Sequence, residues 1–190
     1  MRRTIRRAAA ELYAQSGLTD ISARTIADKA GVSVGTLYAY FENLTELMQS
    51  LWKEPVARLL AELERALEGI DDPLQRLRTL LETYARFAEE HRAVYRGAFL
   101  FVRPASHGEP PRASLDQDRF FGLLRSAILQ AQQRGLARPG DPAIIAQTLW
   151  SGVHGAIALP LNMDRLALAP PERAVPHMIE ALLEWIALSP

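Results

Sequence analysis

The sequence contains no cysteine, and this absence excludes several kinds of chemistry. Disulfides, thiolate nucleophiles and cysteine-ligated zinc are ruled out, and a chain without thiols suits a reducing cytoplasm. Long apolar runs are missing too, since no segment approaches the roughly 18 uninterrupted apolar residues needed to span a bilayer. The arginines between Arg2 and Arg7 lead into Glu11 and Gln15, which is not the pattern of a secretory signal. We therefore expect a cytoplasmic protein with no membrane partner.

Net charge is also absent, because 22 basic residues are balanced by 22 acidic residues. The balance is uneven along the chain, however. Up to Tyr40 there are six basic and three acidic residues, whereas the remainder has 16 and 19. This modest basic bias is consistent with phosphate binding, although a solvated helix face would give the same count. At 190 residues, the chain is long enough for a small domain joined to a larger one.

Apolar residues recur at helical spacing along almost the whole chain, and no alternating β-branched run competes with them. Asp72-Pro73 and Asp141-Pro142 each place a capping aspartate before a proline at the first helical position. Gly17 is expected to end the first helix, and Ser114 to cap a helix that ends near Arg134. Pro55 lies within a long fourth helix, where we expect a kink or a break. The predicted fold is all-α, with about nine helices.

Two of the predicted helices, at about 23–30 and 34–40, are short and separated by only three residues. Ser22 and Ser33 are good N-caps, and apolar residues flank each of them in the pattern of a hydrophobic staple. Gly31 can take the positive φ that ends the first of these helices sharply. A turn this short forces the second helix across the first at a steep angle, which is the geometry of a helix-turn-helix.

The outward face of the second short helix indicates its partner. Leu37 and Phe41 are four residues apart and can pack on the preceding helix, which leaves most of the others facing outward. Small residues let a helix approach a groove closely, hydroxyls can donate to phosphate oxygens, and a valine can contact a thymine methyl. We therefore predict that this face binds the DNA major groove. The alternative is an ordinary helical hairpin within a bundle.

The stretch SARTIADKAGVSVGTLYAYFENLTEL resembles the N-terminal DNA-binding segment of the tetracycline-repressor (TetR) family of transcriptional regulators. The match runs without a gap from about residue 5 to residue 47. A second stretch, LWSGVHGAIAL, resembles a Trp–His–Gly signature in the C-terminal domain of one branch of that family. The resemblance implies a three-helix helix-turn-helix domain at residues 1–46 and a helical effector-binding and dimerisation domain at 47–190.

The same resemblance implies a homodimer that represses transcription at a palindromic operator on double-stranded DNA and leaves it when a small-molecule effector binds. By position, the residues facing DNA would be Arg24, Ser33, Val34, Gly35, Thr36, Tyr38 and Tyr40. The family usually has a phosphate-contacting lysine at the head of the fourth helix, whereas this chain has Leu44. That departure predicts weaker, less salt-dependent binding, or compensation by Arg2 and Arg3.

Aromatic residues at helical spacing predict a pocket for an apolar effector, although each of them could simply belong to the core. The predicted set is Trp52, Tyr84, Phe87, Tyr95, Phe99, Phe120, Trp150 and His154, with Phe121 in the same group and Arg96 and Arg119 as candidate anchors for an acidic group. Small residues next to an apolar terminal stripe predict a dimer bundle, or else a core face within one subunit. That set is Gly152, Gly155, Ala156, Val175, Met178, Ile179, Leu182 and Ile186.

No catalytic constellation emerges from the sequence. The four histidines lack a metal-ligand spacing such as His-x-x-x-His, and there is no glycine-rich phosphate loop. We therefore predict a protein that is not an enzyme and that needs no metal or cofactor. The alternative is a helical small-molecule-binding protein or enzyme with a vestigial DNA-binding segment, which only Leu44 supports.

Overall fold

The computed structural model describes residues 1–16, 21–100, 115–163 and 165–188. Within these ranges the chain forms nine α-helices and one short 3-10 helix, and its only β-structure is a single bridge between Ala137 and Ala187. The predicted all-α fold is therefore confirmed. In chain order the helices are α1 (Arg2–Ser16), α2 (Ala23–Ala30), α3 (Val34–Tyr40), α4 (Leu44–Ala66), α5 (Pro73–Glu90), α6 (Arg92–Phe99), α7 (Arg119–Gln133), α8 (Pro142–Asn162) and α9 (Pro171–Ile186).

Two of the sequence-based expectations about helices meet a different outcome. The helix predicted to begin at a Ser114 cap begins instead at Arg119, where the Asp118 side chain accepts hydrogen bonds from the backbone N–H groups of Phe120 and Phe121. Of the kink or break expected at Pro55, the break does not occur, because α4 continues through this residue. The predicted caps at Ser114 and Gly17 lie outside the described residues.

The described residues form two compact units, and α4 contributes to both. The described residues of the first unit are 1–16, 21–58 and 91–100. Its core brings apolar side chains of α1 to α4 together, and Ile5, Ile26, Leu37 and Leu47 are all fully buried. Burial of several such side chains, each contributing about 1.5–3 kcal/mol, holds these short helices in place because they would be marginal alone.

The described residues of the second unit are 59–90, 115–163 and 165–188. Here α5, α7, α8 and α9 pack around buried residues such as Leu80, Leu124 and Leu149, each of which is completely buried. A two-pronged ion pair joins α5 to α9, in which Nη2 of Arg78 lies 2.8 Å from Oε2 of Glu180. The predicted boundary between residues 46 and 47 stays a prediction, since compactness alone does not locate a functional domain.

By length and hydropathy alone, α8 is the one helix among the described residues that could cross a membrane, with 39% of its most apolar window buried in this structure. The core helix of a globular protein passes the same test. Leu149 and Val153 are completely buried in the second unit, as expected for such a core helix.

Candidate nucleic-acid interface and aromatic cluster

The turn between α2 and α3 is built from local capping interactions. The Ser22 side chain accepts the N–H of Thr25 at 3.0 Å, and the Thr25 hydroxyl in turn accepts the N–H of Ser22 at 3.0 Å. At the other end of α2, Gly31 adopts a left-handed φ of 68°, which a residue with a side chain rarely takes. The N–H of Val32 then closes back on the Ala27 carbonyl at 3.0 Å. These bonds make a sharp three-residue turn before α3.

Helix α3 begins at the second serine cap. The Ser33 Oγ accepts the N–H of Thr36 at 3.0 Å and lies 2.9 Å from the Thr36 hydroxyl. Leu37 is completely buried, and Phe41 at the C-cap is 1% exposed. Since these two residues point into the core of the first unit, the rotation of α3 about its axis is determined.

The rest of the surface of α3 is open to solvent. Val34, Tyr38 and Tyr40 are 37%, 47% and 41% exposed, so three large apolar or aromatic side chains are exposed on this one short helix. A Cβ added to Gly35 would meet only the Ser33 Oγ, at an ordinary 3.7 Å. Of the predicted DNA-facing residues, only Thr36 is half-buried; Arg24 and Ser33 are exposed like the rest.

The charges around this face differ from those the resemblance implies. Leu44 is half-buried and packs against the core of the first unit, so the position at which the family usually has a lysine carries no cation. On α1, Arg7 pairs with Glu11 at 3.8 Å, and Lys29 of α2 approaches the same carboxylate at 3.4 Å. Arg2 is likewise engaged by groups of its own chain, with Nη2 lying 2.8 Å from Oε1 of Glu46.

In the second unit, four of the predicted pocket residues come together. We call Tyr84, Phe120, Trp150 and His154, with Phe121, the aromatic cluster. The rings of Tyr84 and Phe120 stack at 5.4 Å between centroids, and those of Trp150 and His154 stack at 4.7 Å. Phe121 joins the two halves, with its ring edge-on to Phe120 at 5.7 Å and to Trp150 at 5.5 Å.

A polar pair lies within this cluster. The Tyr84 hydroxyl is 2.8 Å from Nδ1 of His154, and the Tyr84 side chain is almost fully buried. Burial of the imidazole lowers the pKa of His154 below its ordinary value, since a low dielectric penalises the charged form. The hydrogen bond therefore involves an imidazole whose neutral form is favoured by its surroundings.

Of the other predicted pocket residues, Phe87 is buried in the second unit, and Trp52, Tyr95 and Phe99 belong to the first. The predicted pocket as a whole therefore stays a prediction. Trp52 packs edge-on to Tyr13 at 4.7 Å, and a Cβ on Gly97 would lie 2.1 Å from its ring. Burial raises the pKa of the Tyr13 hydroxyl, with Arg96 acting in the opposite sense. The other candidate anchor, Arg119, forms an ion pair with Glu64.

The residues predicted for a dimer face divide into two groups. Val175, Ile179 and Ile186 are buried within this chain. Gly152 also has an internal role, because a Cβ there would lie 2.9 Å from Leu182 Cδ1 and 3.2 Å from Met178 Sδ. A Cβ on Gly155, by contrast, would meet nothing within 4 Å. Gly155 and Ala156 are only half-buried.

Sequence reasoning missed the exposed apolar residues of these helices. Ile144 and Leu159 of α8 are 60% and 51% exposed, and Trp185 of α9 is 41% exposed. Ile144, Gly155 and Leu159 share one face of α8, since 11 residues make about three helical turns and four make about one. The sequence signal that could have identified them is that these apolar residues occupy positions outside the buried face of their helices.

Comparison with known families agrees with this geometry. Residues 5–51, which include the helix-turn-helix, match the family described as "Bacterial regulatory proteins, tetR family". Residues 77–182 match the "Tetracyclin repressor-like, C-terminal domain". The chain belongs to the TetR family. The membership predicted from the motifs is thereby confirmed, and both the helix-turn-helix and the aromatic cluster lie within regions that TetR-family proteins share.

Individual TetR-family relatives are more distant. The chain is 34% identical over 92 residues to the HTH-type transcriptional activator FasR of Mycolicibacterium smegmatis, covering 48% of this chain and 42% of FasR. It is 32% identical over 85 residues to the HTH-type transcriptional repressor KstR2 of Mycobacterium tuberculosis, covering 45% and 42%. The chain thus spans less than half the length of these curated relatives.

The similarity of fold extends further than the similarity of sequence. The structure of the transcriptional regulator FadR from Bacillus subtilis in complex with stearoyl-CoA superposes with a TM-score of 0.71, covering 98% of this chain and all of FadR at 18% identity. Among the described residues, no three His, Asp or Glu side chains are arranged to hold a metal ion.

Proposed function

We propose that this TetR-family chain is a homodimeric transcriptional repressor that binds a palindromic operator and leaves it when a small apolar effector binds. The observation that carries the proposal is the exposed surface of α3, outside the buried Leu37 and the C-cap Phe41. Val34, Tyr38 and Tyr40 are exposed together on one short helix, as at an interaction site, and the capped helix suits a groove.

Each exposed residue of α3 has a role in this proposal. The hydroxyls of Tyr38 and Tyr40 donate to phosphate oxygens and set the register of the helix, while Val34 contacts a thymine methyl. Gly35 lets the backbone of α3 approach the bases closely. The Thr36 hydroxyl stays within reach of the Ser33 Oγ, so its part is to hold the cap and to donate to phosphate only at the edge of the contact. Arg24 adds a cation beside the same groove.

The exposed apolar residues of α8 and α9 support a homodimer. Ile144, Leu159 and Trp185 would be covered by a second copy, and Gly155 would allow the two α8 helices to approach. In such a dimer the two α3 helices enter successive major grooves, about 34 Å apart. The two-fold symmetry of the protein is then matched by a palindrome in the DNA. Since DNA is the partner, we place the protein in the cytoplasm.

The aromatic cluster supports an apolar effector, because pockets for small molecules are mostly apolar with a few polar groups. The Tyr84–His154 pair supplies the polar group that would orient it. FadR, which has the same fold, was solved in complex with stearoyl-CoA, a ligand with a long apolar tail. For the present protein we propose only that the effector is apolar. An effector that favours the DNA-free state by about 1–3 kcal/mol would lower affinity for DNA by about 5- to 150-fold.

Selection of bound DNA from a random pool at low salt tests the proposal. Enrichment of one palindrome is expected, and a reporter gene placed behind it should be repressed. With that operator, Tyr38→Phe should weaken binding to all sequences alike, whereas Val34→Ala should relax preference at one base position. A dimer that enriches no sequence and shows no shift at low salt would refute the proposal and favour a small-molecule-binding protein or enzyme with a vestigial DNA-binding segment.

A further inference from the structure

Arg2, in the first turn of α1, contacts the far end of the helix that we propose enters DNA. Its Nη1 donates to the Tyr40 carbonyl at 2.5 Å, and its Nη2 donates to Oε1 of Glu46 at 2.8 Å. The guanidinium carbon lies 4.3 Å from the centroid of the Phe41 ring. One side chain thus contacts the last residue of α3, its C-cap and the first turn of α4.

The carbonyl that Arg2 binds is one that α3 cannot satisfy itself. The last four carbonyls of a helix have no partner within it, and they form the negative end of its dipole. Helix α3 has seven residues and no basic residue in its last turn. Arg2 supplies the missing cation from 38 positions away in the sequence. It therefore stabilises the end of α3 that carries Tyr38 and Tyr40.

Glu46 extends the same network into the connection between α3 and α4. Its Oε2 accepts the N–H of Glu42 at 2.6 Å, and its own N–H donates to Oδ1 of Asn43 at 2.8 Å. The Glu42 N–H and then Arg2 lower the pKa of the Glu46 carboxyl, so this group is charged at neutral pH. Arg2 and Glu46 together hold residues 41–43, on which the direction of α3 depends.

We infer that Arg2 is a positioning residue for DNA recognition, which fixes the C-terminal end of α3 through Tyr40 and Glu46 instead of contacting phosphate itself. This inference rests on the proposed function. The inference also bears on the replacement of the usual lysine by Leu44, for which we predicted either weaker DNA binding or compensation by Arg2 and Arg3. An Arg2 side chain that is bound to Glu46 does not take over the phosphate contact of that lysine. Arg3 remains exposed on the same helix and is the natural control.

The two roles of Arg2 predict different salt dependence. Each phosphate neutralised by the protein adds about 0.9 to the slope of log affinity against log salt, because it releases a counterion. A positioning arginine weakens binding when removed but leaves the slope unchanged. Since both Arg2 and Glu46 are partly exposed, at 52% and 38% of their side chains, replacing them should not unfold the chain.

The experiment compares the wild type with Arg2→Gln, Glu46→Gln, the double variant and Arg3→Gln. Operator affinity is measured by fluorescence anisotropy between about 50 and 200 mM salt. We expect Arg2→Gln and Glu46→Gln each to weaken binding at least threefold with an unchanged slope, and the double variant to be no weaker than Arg2→Gln alone. Arg3→Gln serves as the contrast, because loss of a cation that contacts phosphate lowers the slope by about one, whereas loss of a positioning residue does not. A slope reduced by about one in Arg2→Gln, or tighter binding by Glu46→Gln, would overturn the inference.

A second measurement on the DNA-free protein separates this inference from the proposed function. Amide hydrogen exchange of Phe41, whose N–H bonds to the Leu37 carbonyl, and of Glu42 should be at least threefold faster in Arg2→Gln. Exchange in Arg3→Gln should match the wild type. Unchanged exchange in Arg2→Gln overturns the inference even if the protein binds DNA. Faster exchange in a protein that selects no DNA supports the contacts of Arg2 while refuting the DNA-binding function.

Discussion

The substitution Gly35→Ala should make the protein more stable and its DNA binding weaker. Glycine within a helix is less favourable than alanine, so a helical glycine needs a reason. At Gly97 the reason lies inside the chain, since a Cβ there would overlap the Trp52 ring. At Gly35 no such reason exists, because its added Cβ would make only one ordinary contact, at 3.7 Å from the Ser33 Oγ. Under the proposed function, that reason is the close approach of DNA to the backbone of α3.

The size of both effects follows from this geometry. An unstrained helical Gly→Ala exchange stabilises by about 0.5–1 kcal/mol. For a chain of this size, that corresponds to a rise in Tm of up to about 4 °C. If a base or phosphate lies where the methyl would stand, the helix must withdraw by roughly an atomic radius and lose its closest contacts. A loss of about 1.4 kcal/mol, or tenfold in Kd, is the expected minimum.

The assay pairs thermal denaturation with operator binding, and Gly122→Ala is the matched control. A Cβ on Gly122 of α7 would also meet nothing within 4 Å, so the control should stabilise the chain similarly without altering Kd. Wild-type affinity in Gly35→Ala would refute the close approach of α3 to DNA. A lower Tm for this variant would refute the statement that the fold does not require glycine there.

Three further outcomes are expected. Leu37→Ala removes a completely buried side chain from beneath α3, and it should lower the free energy of unfolding in urea by about 2–5 kcal/mol and abolish DNA binding. A loss below about 1 kcal/mol would contradict the burial of Leu37. Ser33→Ala removes the cap of α3 and should cost about 1 kcal/mol by the same assay, and an unchanged midpoint would argue against the cap. Because burial lowers the pKa of His154, the unfolded chain binds this proton more readily, so stability should fall as the pH drops below about 6.5. In His154→Asn, Tm should depend less on pH between pH 6.5 and 5. Glu180, whose pKa lies below its ordinary value, affects stability only at lower pH. If the dependence of Tm on pH is the same in His154→Asn as in the wild type, His154 is not the cause of that dependence.

Local interactions explain why some elements were predictable. The bounds of α2 and α3 agree with the sequence pattern because Ser22, Gly31 and Ser33 act within three or four residues of their own position. The same holds for the Asp141 cap of α8. Asp118 was missed as the cap of α7, because the signal of a capping residue is short and Ser114 carries it equally well.

The grouping of aromatic residues was not predictable in the same way. Eight positions formed one predicted pocket, but helical spacing says only that each residue faces inward. The structure places Trp52 against Tyr13 in one unit, and Tyr84 against His154 in the other. Which inward-facing residues meet depends on how the helices pack, and that information is spread over many weak contacts.

The sequence by itself determined the all-α class, the two capped helices around Gly31 and the exposed tyrosines of α3, since spacing and capping act over a few residues. Only the tertiary structure decided that Arg2 is bound to the end of α3 and that Leu44 packs against the core. It also decided that Gly152 faces side chains of its own chain, whereas a Cβ on Gly155 would meet none. These features join residues tens of positions apart. No local pattern encodes such pairs, because the energy of each depends on helices that other contacts have already brought together.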